Sequence, residues 1–175
     1  RNRLCPVCNK IDVAVQQGLI LSKHYEFKKR GYIGFFVTLT QPRESDLSVA
    51  NEQIGRHLTM WKKRVKRYYS IKNGYNQQLD ITNLIASKDI TFNLNNVKQV
   101  YHLHYHNLLY VPREFFGMSE GEMMLINGQN RPNLGFELSK GVKSKIEDFK
   151  HHLKRIWVET TGYKSIDKAQ DVQVA

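Results

Sequence analysis

Three histidines at alternate positions, His102, His104 and His106, lie in the run Val100-Tyr101-His102-Leu103-His104-Tyr105-His106-Asn107-Leu108-Leu109-Tyr110-Val111. The run is rich in β-branched and aromatic residues and alternates through its first half, so it reads as a strand. Side chains of a strand alternate between its faces, which puts the three imidazoles on one side and Leu103 and Tyr105 on the other. On a wet sheet face, or satisfied by local hydrogen bonds, such histidines need no further role; buried without partners they cost free energy. An alternating trio that leads into an apolar run also suits metal ligation. Imidazoles at i and i+2 stand about 6.6–6.8 Å apart along a strand, and the rings of His104 and His106 can converge on one ion. An unperturbed pKa of about 6.5 leaves them largely neutral at pH 7, which is the ligating form. His102 is about 13 Å from His106 by the same rise. It reads as an additional metal or phosphate contact, not as a third ligand from the same strand.

A third ligand has one candidate nearby. Leu84 to Asn93 ends in Lys88-Asp89-Ile90-Thr91-Phe92-Asn93 and reads as the preceding strand. Asn95 and Asn96 then turn the chain into the histidine strand, making an antiparallel hairpin. Asp89 is therefore either a surface acid or a carboxylate ligand offered from the neighbouring strand. Cys5 and Cys8 form a separate Cys-x-x-Cys pair. Two thiols build no disulfide framework. Residues 1–12 read either as half a structural zinc site, with His24 as a further candidate ligand, or as an unligated thiol pair.

Lys and Arg number 27 against 16 acids, for a formal net charge of +11 and a pI of about 9.7. That balance favours a polyanionic partner, nucleic acid first and a membrane surface second. No apolar run approaches the roughly 18–20 residues of a spanning helix, and no signal-peptide pattern opens the chain. The chain starts at Arg1 without a methionine and reads as a fragment of a longer protein.

The elements that must carry these residues follow from periodicity. Residues 13–25 read as a helix, Lys28-Lys29-Arg30-Gly31 as a basic turn, and Tyr32 to Thr40 as a buried strand stopped before Pro42. Ser45 or Asp46 caps a helix whose apolar stripe is Ala50, Ile54, Leu58, Trp61, Val65 and Tyr68. Its other side carries Arg56, Lys62, Lys63, Arg64, Lys66 and Arg67 with no interleaved acid. Such a run is either a solvated face or a DNA-backbone contact. In the second reading Lys63, Arg64, Lys66 and Arg67, with Arg43, touch phosphates. Residues 72–83 read as a polar loop and 113–143 as a loop-rich connection with one short element. Ser144-Lys145-Ile146-Glu147 reads as a capping box. It opens a helix with the stripe Ile146, Phe149, Leu153 and Ile156 or Trp157, stopped at Gly162. Residues 165–174 read as an edge or last strand. No repeat or linker divides the chain, so one domain over 1–175 is expected. Its class is α+β, a central antiparallel sheet of about five strands with helices packed on it.

With these pieces laid out, the sequence resembles the replication initiators of bacterial rolling-circle plasmids, in the HUH endonuclease superfamily. Phe36-Val37-Thr38-Leu39-Thr40 is similar to the family's first strand motif. Tyr101 to Leu109 is similar to its metal motif, His-hydrophobic-His followed by an apolar strand. Lys88 to Asn93 is similar to a segment that usually carries Glu before a β-branched residue and Thr; Asp89 is a shorter acid of the same charge. Arg3-Leu4-Cys5-Pro6-Val7-Cys8 is similar to an upstream cysteine motif of one plasmid subgroup, whose further cysteine would fall just before Arg1.

The resemblance implies an HUH or RRM-like sheet, truncated here at both ends, in the bacterial cytoplasm. It implies that His104, His106 and Asp89 hold Mn²⁺ or Mg²⁺, while Cys5 and Cys8 stay open between a structural Zn²⁺ site and an unligated thiol pair. The implied activity is nicking of single-stranded origin DNA through a phosphotyrosine, with plasmid origin DNA and a host helicase as partners and no membrane. The nucleophilic tyrosine belongs to a third motif after the last strand, and nothing in residues 165–175 matches it. Tyr163 precedes that strand and takes no such role, so no catalytic nucleophile is assigned. Rival readings are a relaxase or transposase of the same superfamily, an origin-binding module that does not cut, and, last, a zinc-dependent hydrolase.

Overall fold

The computed structural model describes residues 6–75, 79, 85–95, 98–120, 122, 138–163 and 170–175. Helix α1 (Pro6–Lys29) is longer at both ends than its apolar pattern suggests. Pro6 suits a first helical turn, where its missing N–H is not needed. Lys28 and Lys29 lie in the last turn, where cations complement the helix dipole. Gly31 then turns the chain with φ 79° into strand β1 (Tyr32–Thr40). Asp46, one of the two expected caps, starts α2 (Leu47–Tyr68) by accepting from Ser48 N at 2.7 Å and Val49 N at 3.1 Å. Strands β2 (Ile85–Asn95) and β3 (Lys98–Pro112) form the expected hairpin. Helix α3 (Lys140–Thr161) and the short strand β4 (Asp171–Val174) complete the order.

The expected start of α3 is corrected. Ser139 is the cap, accepting from Val142 N at 3.3 Å, and Ser144 lies inside the helix. The cap is decided by a tertiary tie: Glu122 accepts from Ser119 N at 2.9 Å and from Ser139 N at 2.8 Å. Those backbone donors, Ser119 first, hold the Glu122 carboxyl down to about 2. The helix ends at Gly162, as expected, with φ 74°. Of the expected short element in 113–143, the tight turn Arg113–Phe116 is present, while residues 123–137 lie outside the described ones.

Among the described residues the sheet has four strands, one fewer than expected, in the order β2-β3-β1-β4, and every pairing is antiparallel. After α1 the chain is thus β-α-β-β-α-β, the ferredoxin-like arrangement that RRM-type sheets share. Ile33, Phe35, Val37 and Leu39 of β1 are fully buried, and register places them opposite Val111, Leu109, Asn107 and Tyr105. Onto this face pack the α2 stripe of Ala50, Ile54, Leu58, Trp61 and Val65 and the α3 stripe of Val142, Ile146, Phe149, Leu153, Ile156 and Trp157. Trp61 Nε1 donates to Leu153 O at 3.1 Å and ties the two helices together. The other face carries His102, His104, His106, Leu108 and Tyr110. Helix α1 crosses one end of it: Phe27 stacks on Tyr110 at 4.3 Å, and His24 Nδ1 lies 3.0 Å from the Tyr110 hydroxyl. No helix among the described residues is long and apolar enough to cross a membrane.

The two helical layers differ in what they bury. Leu153 is fully buried, while Leu19 of α1 is 61% exposed. Leu153→Ala is expected to cost about 2–5 kcal/mol by urea denaturation, through lost burial and a cavity. Leu19→Ala is expected to stay within about 0.5 kcal/mol of the parent. Equal costs at the two sites would contradict this placement of the core.

Candidate metal centre and nucleic-acid faces

The hairpin register aligns two rows of side chains across the open face. In the first, Asp89 of β2 opposes His104 of β3, which opposes Thr40 of β1. In the second, Ser87 opposes His106, His106 opposes Thr38, and Thr38 opposes Asp171 of β4. Directly opposed residues share a face, with Cβ atoms about 4.5–5.5 Å apart. The histidine rings follow one another along β3, with centroids 4.5 Å apart for His102 and His104 and 6.3 Å for His104 and His106.

Each of the two inner histidines has a threonine at its Nδ1. Thr40 Oγ1 is 3.0 Å from His104 Nδ1, and Thr38 Oγ1 is 3.1 Å from His106 Nδ1. A hydroxyl that accepts from Nδ1–H selects the tautomer whose Nε2 lone pair is free, and a partner on the second nitrogen commonly orients a ligating imidazole. Thr40 is itself clamped. Its N–H donates to Gln170 Oε1 at 2.7 Å; its carbonyl accepts from Gln170 Nε2 at 3.1 Å and from Trp157 Nε1 at 2.9 Å. All of these bonds are buried. The glutamine amide continues the sheet ladder where β4 has not yet begun.

Of the expected metal residues, His104, His106 and Asp89 lie on one face and His102 joins them. Among the described residues, however, no three His, Cys, Asp or Glu side chains stand close enough to hold an ion as they are. Asp89 is exposed. Asp171, two strands across from His106, is a second acid on this face that sequence reasoning missed. It shows no motif, and only the β1–β4 pairing brings it there. Thr38, Thr40, Gln170 and Trp157 were equally unassigned. Thr38 and Thr40 repeat the period-two spacing of His104 and His106, but only the register matches the pairs.

Burial holds the pKa of His104 below the ordinary histidine value, with further depression from His106; the Asp89 charge acts in the opposite sense. Burial likewise lowers His102, followed by the neighbouring His104 and Arg43, while a backbone hydrogen bond at Gln41 opposes. Arg43 therefore lies near the histidine face.

The basic helix does not. Lys63, Arg64, Lys66 and Arg67 lie on α2, whose buried stripe faces the opposite side of the sheet. The sheet and roughly 10–12 Å of helix separate them from the imidazoles. They therefore lie on a different side of the sheet from His104 and His106. Lys63, Lys66 and Arg67 instead line a shallow cleft of about 600 Å³ with Lys72.

The zinc expectation for Cys5 and Cys8 falls mostly outside the described residues. Cys5 is not described, and of Cys8 only the backbone is, in the first turns of α1. His24 lies on the same helix, about 24 Å further along it at the helical rise, so it is excluded as a ligand to an ion bound by Cys8.

A family model described as replication protein matches residues 1–126. The chain belongs to this family of plasmid replication initiators. The match spans the histidine strand, the Asp89 hairpin and β1, and the βαββαβ sheet agrees with the HUH resemblance. No curated protein and no solved structure matches the chain.

The histidines also set a pH dependence of stability. His24, His57, His102, His104 and His152 all have pKa values lowered chiefly by burial. The unfolded chain, with values of about 6.5, then takes up protons before the folded one. Stability is fully present above that value and is lost as pH falls through the window beneath it. The urea midpoint is expected to be flat between about pH 7 and 8 and to drop on acidification from about pH 6.5 to 5.5. A rise over that interval would contradict the burial of these rings.

Proposed function

We propose that this replication initiator is a metal-dependent nicking enzyme, acting on single-stranded plasmid origin DNA in the bacterial cytoplasm. The observation that supports it most is the row Asp89–His104–Thr40 beside the pair His106–Thr38. Two imidazoles whose Nδ1 atoms lie at threonine hydroxyls, next to a carboxylate, form a donor set suited to a divalent ion of the Mn²⁺ type more than to Mg²⁺, which favours all-oxygen sites. His104, His106 and Asp89 would hold the ion, with a small movement of the exposed carboxylate, and Asp171 is a second acid within the same face. When bound, such an ion supplies Lewis-acid activation of the scissile phosphate and a template for its geometry.

The chain's own residues do the rest. His102 and Arg43 contact the phosphate next to the scissile one. Thr38 and Thr40 keep the two imidazoles oriented, and Gln170 and Trp157 keep Thr40 in place. The nucleophile belongs to the tyrosine motif that the resemblance implies, and no tyrosine of this chain is assigned that role. Its attack would leave a phosphotyrosine and a free 3′-hydroxyl to prime synthesis, with a host helicase opening the duplex. The helical face of Lys63, Arg64, Lys66 and Arg67 holds a separate stretch of origin DNA by its phosphates.

Nicking of single-stranded origin DNA, assayed with Mn²⁺ and with chelator, tests the activity: metal-independent cutting, or binding with no cutting by the full initiator, would refute it. For the ligands, His104→Ala and His106→Ala should each abolish Mn²⁺ binding in calorimetric titrations while leaving the circular dichroism spectrum unchanged. Thr40→Val should weaken Mn²⁺ binding by about 10–100-fold. Retention of parental affinity in both histidine variants would remove the metal assignment. On the far face, replacing Lys63, Arg64 and Arg67 together by Ala should lower the slope of log affinity against log salt for duplex DNA by about 2–3. Mn²⁺ binding should not change.

A further inference from the structure

Beside His106, between α1 and the sheet, lies a cleft of about 810 Å³. That is within the roughly 300–1,000 Å³ range of small-ligand sites. Its floor is the sheet: Phe36 of β1, Ala86 and Ser87 of β2, and His106 and Leu108 of β3. Its wall is α1, with Leu19 and Ile20 as apolar contacts and Gln16 and Lys23 as polar ones. Phe36 is unusual for a central strand. It is on the open face, 43% exposed, while its neighbour Phe35 is fully buried in the core. Its ring lies nearly parallel to that of His106, with centroids 5.7 Å apart and 10° between planes.

We infer that this cleft is a nucleobase pocket: one base of the bound single strand turns into it and stacks on Phe36. The inference rests on the proposed reading of His104 and His106 only for which phosphate lies next door. Its own support is local. A flat aromatic surface open to the cleft is what an unstacked base requires, and every base offers a π-face to it. Leu19, Ile20 and Leu108 add apolar surface to the cleft beside the ring. Ser87 and Gln16 offer donors and acceptors to a base edge, and Lys23 offers a cation to the backbone entering the cleft. The charge of the chain, +11, matches a polyanion and disfavours a cationic or neutral lipid-like occupant. Duplex DNA has its bases stacked and paired, so the pocket distinguishes single strands from duplex.

The test uses a 20-nucleotide thymine-rich single strand carrying 5-iodouracil, and the same sequence as duplex, both in chelator so that no metal contributes. Phe36→Ala should weaken single-strand binding about tenfold or more, while Phe36→Trp should retain it. Duplex binding should be the same in all three proteins. Irradiation should cross-link the strand to the tryptic peptide Gly31–Arg43, at Phe36. Because every strand measurement is made in chelator, a loss of binding in Phe36→Ala reads the pocket and not the metal site. If the histidine variants kept Mn²⁺ affinity, the metal reading would fall and the pocket would still stand on the cross-link and the metal-free affinities. Equal strand affinities in Phe36→Ala and parent, or cross-links confined to other peptides, would overturn it. So would a cleft occupied by a second copy of the chain, seen as self-association lost in Phe36→Ala with strand binding intact.

Discussion

The arrangement of the open face depends on one pairing, the antiparallel register of β1 against β3. It sets Thr40 opposite His104 and Thr38 opposite His106. Strand side chains alternate with a period of two, so a slip by one residue would turn every histidine into the core and every core residue into solvent. Two kinds of contact resist the slip. On the core side, Ile33, Phe35, Val37 and Leu39 are buried against α2 and α3. At the end of β1, Trp157 and Gln170 bind the backbone of Thr40 through three buried hydrogen bonds. Helix α3 and the residue before β4 thus hold the strand at the position that His104 reads. The stability of the core and the placement of His104 are coupled through that single residue.

The sheet also divides the protein into two surfaces. One face is apolar and covered by helices; the other is lined by imidazoles, hydroxyls, carboxylates and one exposed aromatic ring. The basic side of α2 points away from both, so the chain presents positive charge on a surface that the histidine face does not share. The layered fold keeps the two surfaces apart because a helix buries one stripe and leaves the opposite one in water. Helix α1 stands outside that logic. It spans the open face at one end, packs the half-buried Phe27 and His24 against Tyr110, and leaves Leu19, Leu21 and Tyr25 exposed.

Much of this was legible from residue order, and the exceptions share a cause. Strand β1, the hairpin and the stripes of α2 and α3 follow from local periodicity, because burial on one face imposes it. Asp46 and Gly162 work as local signals because capping is a local hydrogen-bond requirement. The start of α3 was misread at Ser144 because Ser139 is selected by Glu122, seventeen residues earlier in the chain. The one-signed run on α2 is legible as a charged face, but charge pattern carries no information about which side of a sheet a helix covers. His24 is a candidate partner of Cys8 by residue type, but one continuous helix holds the two about 24 Å apart.

By itself, the order of residues determined which chemistry is available: three alternating imidazoles, an acid on the strand before them, a one-signed helix and the family of replication proteins. These are properties of neighbours along the chain, and periodicity and motif spacing report them directly. Only the tertiary structure decided which groups meet. Strand register matched Thr40 to His104 and Thr38 to His106, edge pairing brought in Asp171, and a helix crossing made a cleft beside Phe36. Each of those joins residues far apart in sequence, so each is set by packing and hydrogen-bond closure of the whole domain and leaves no local trace.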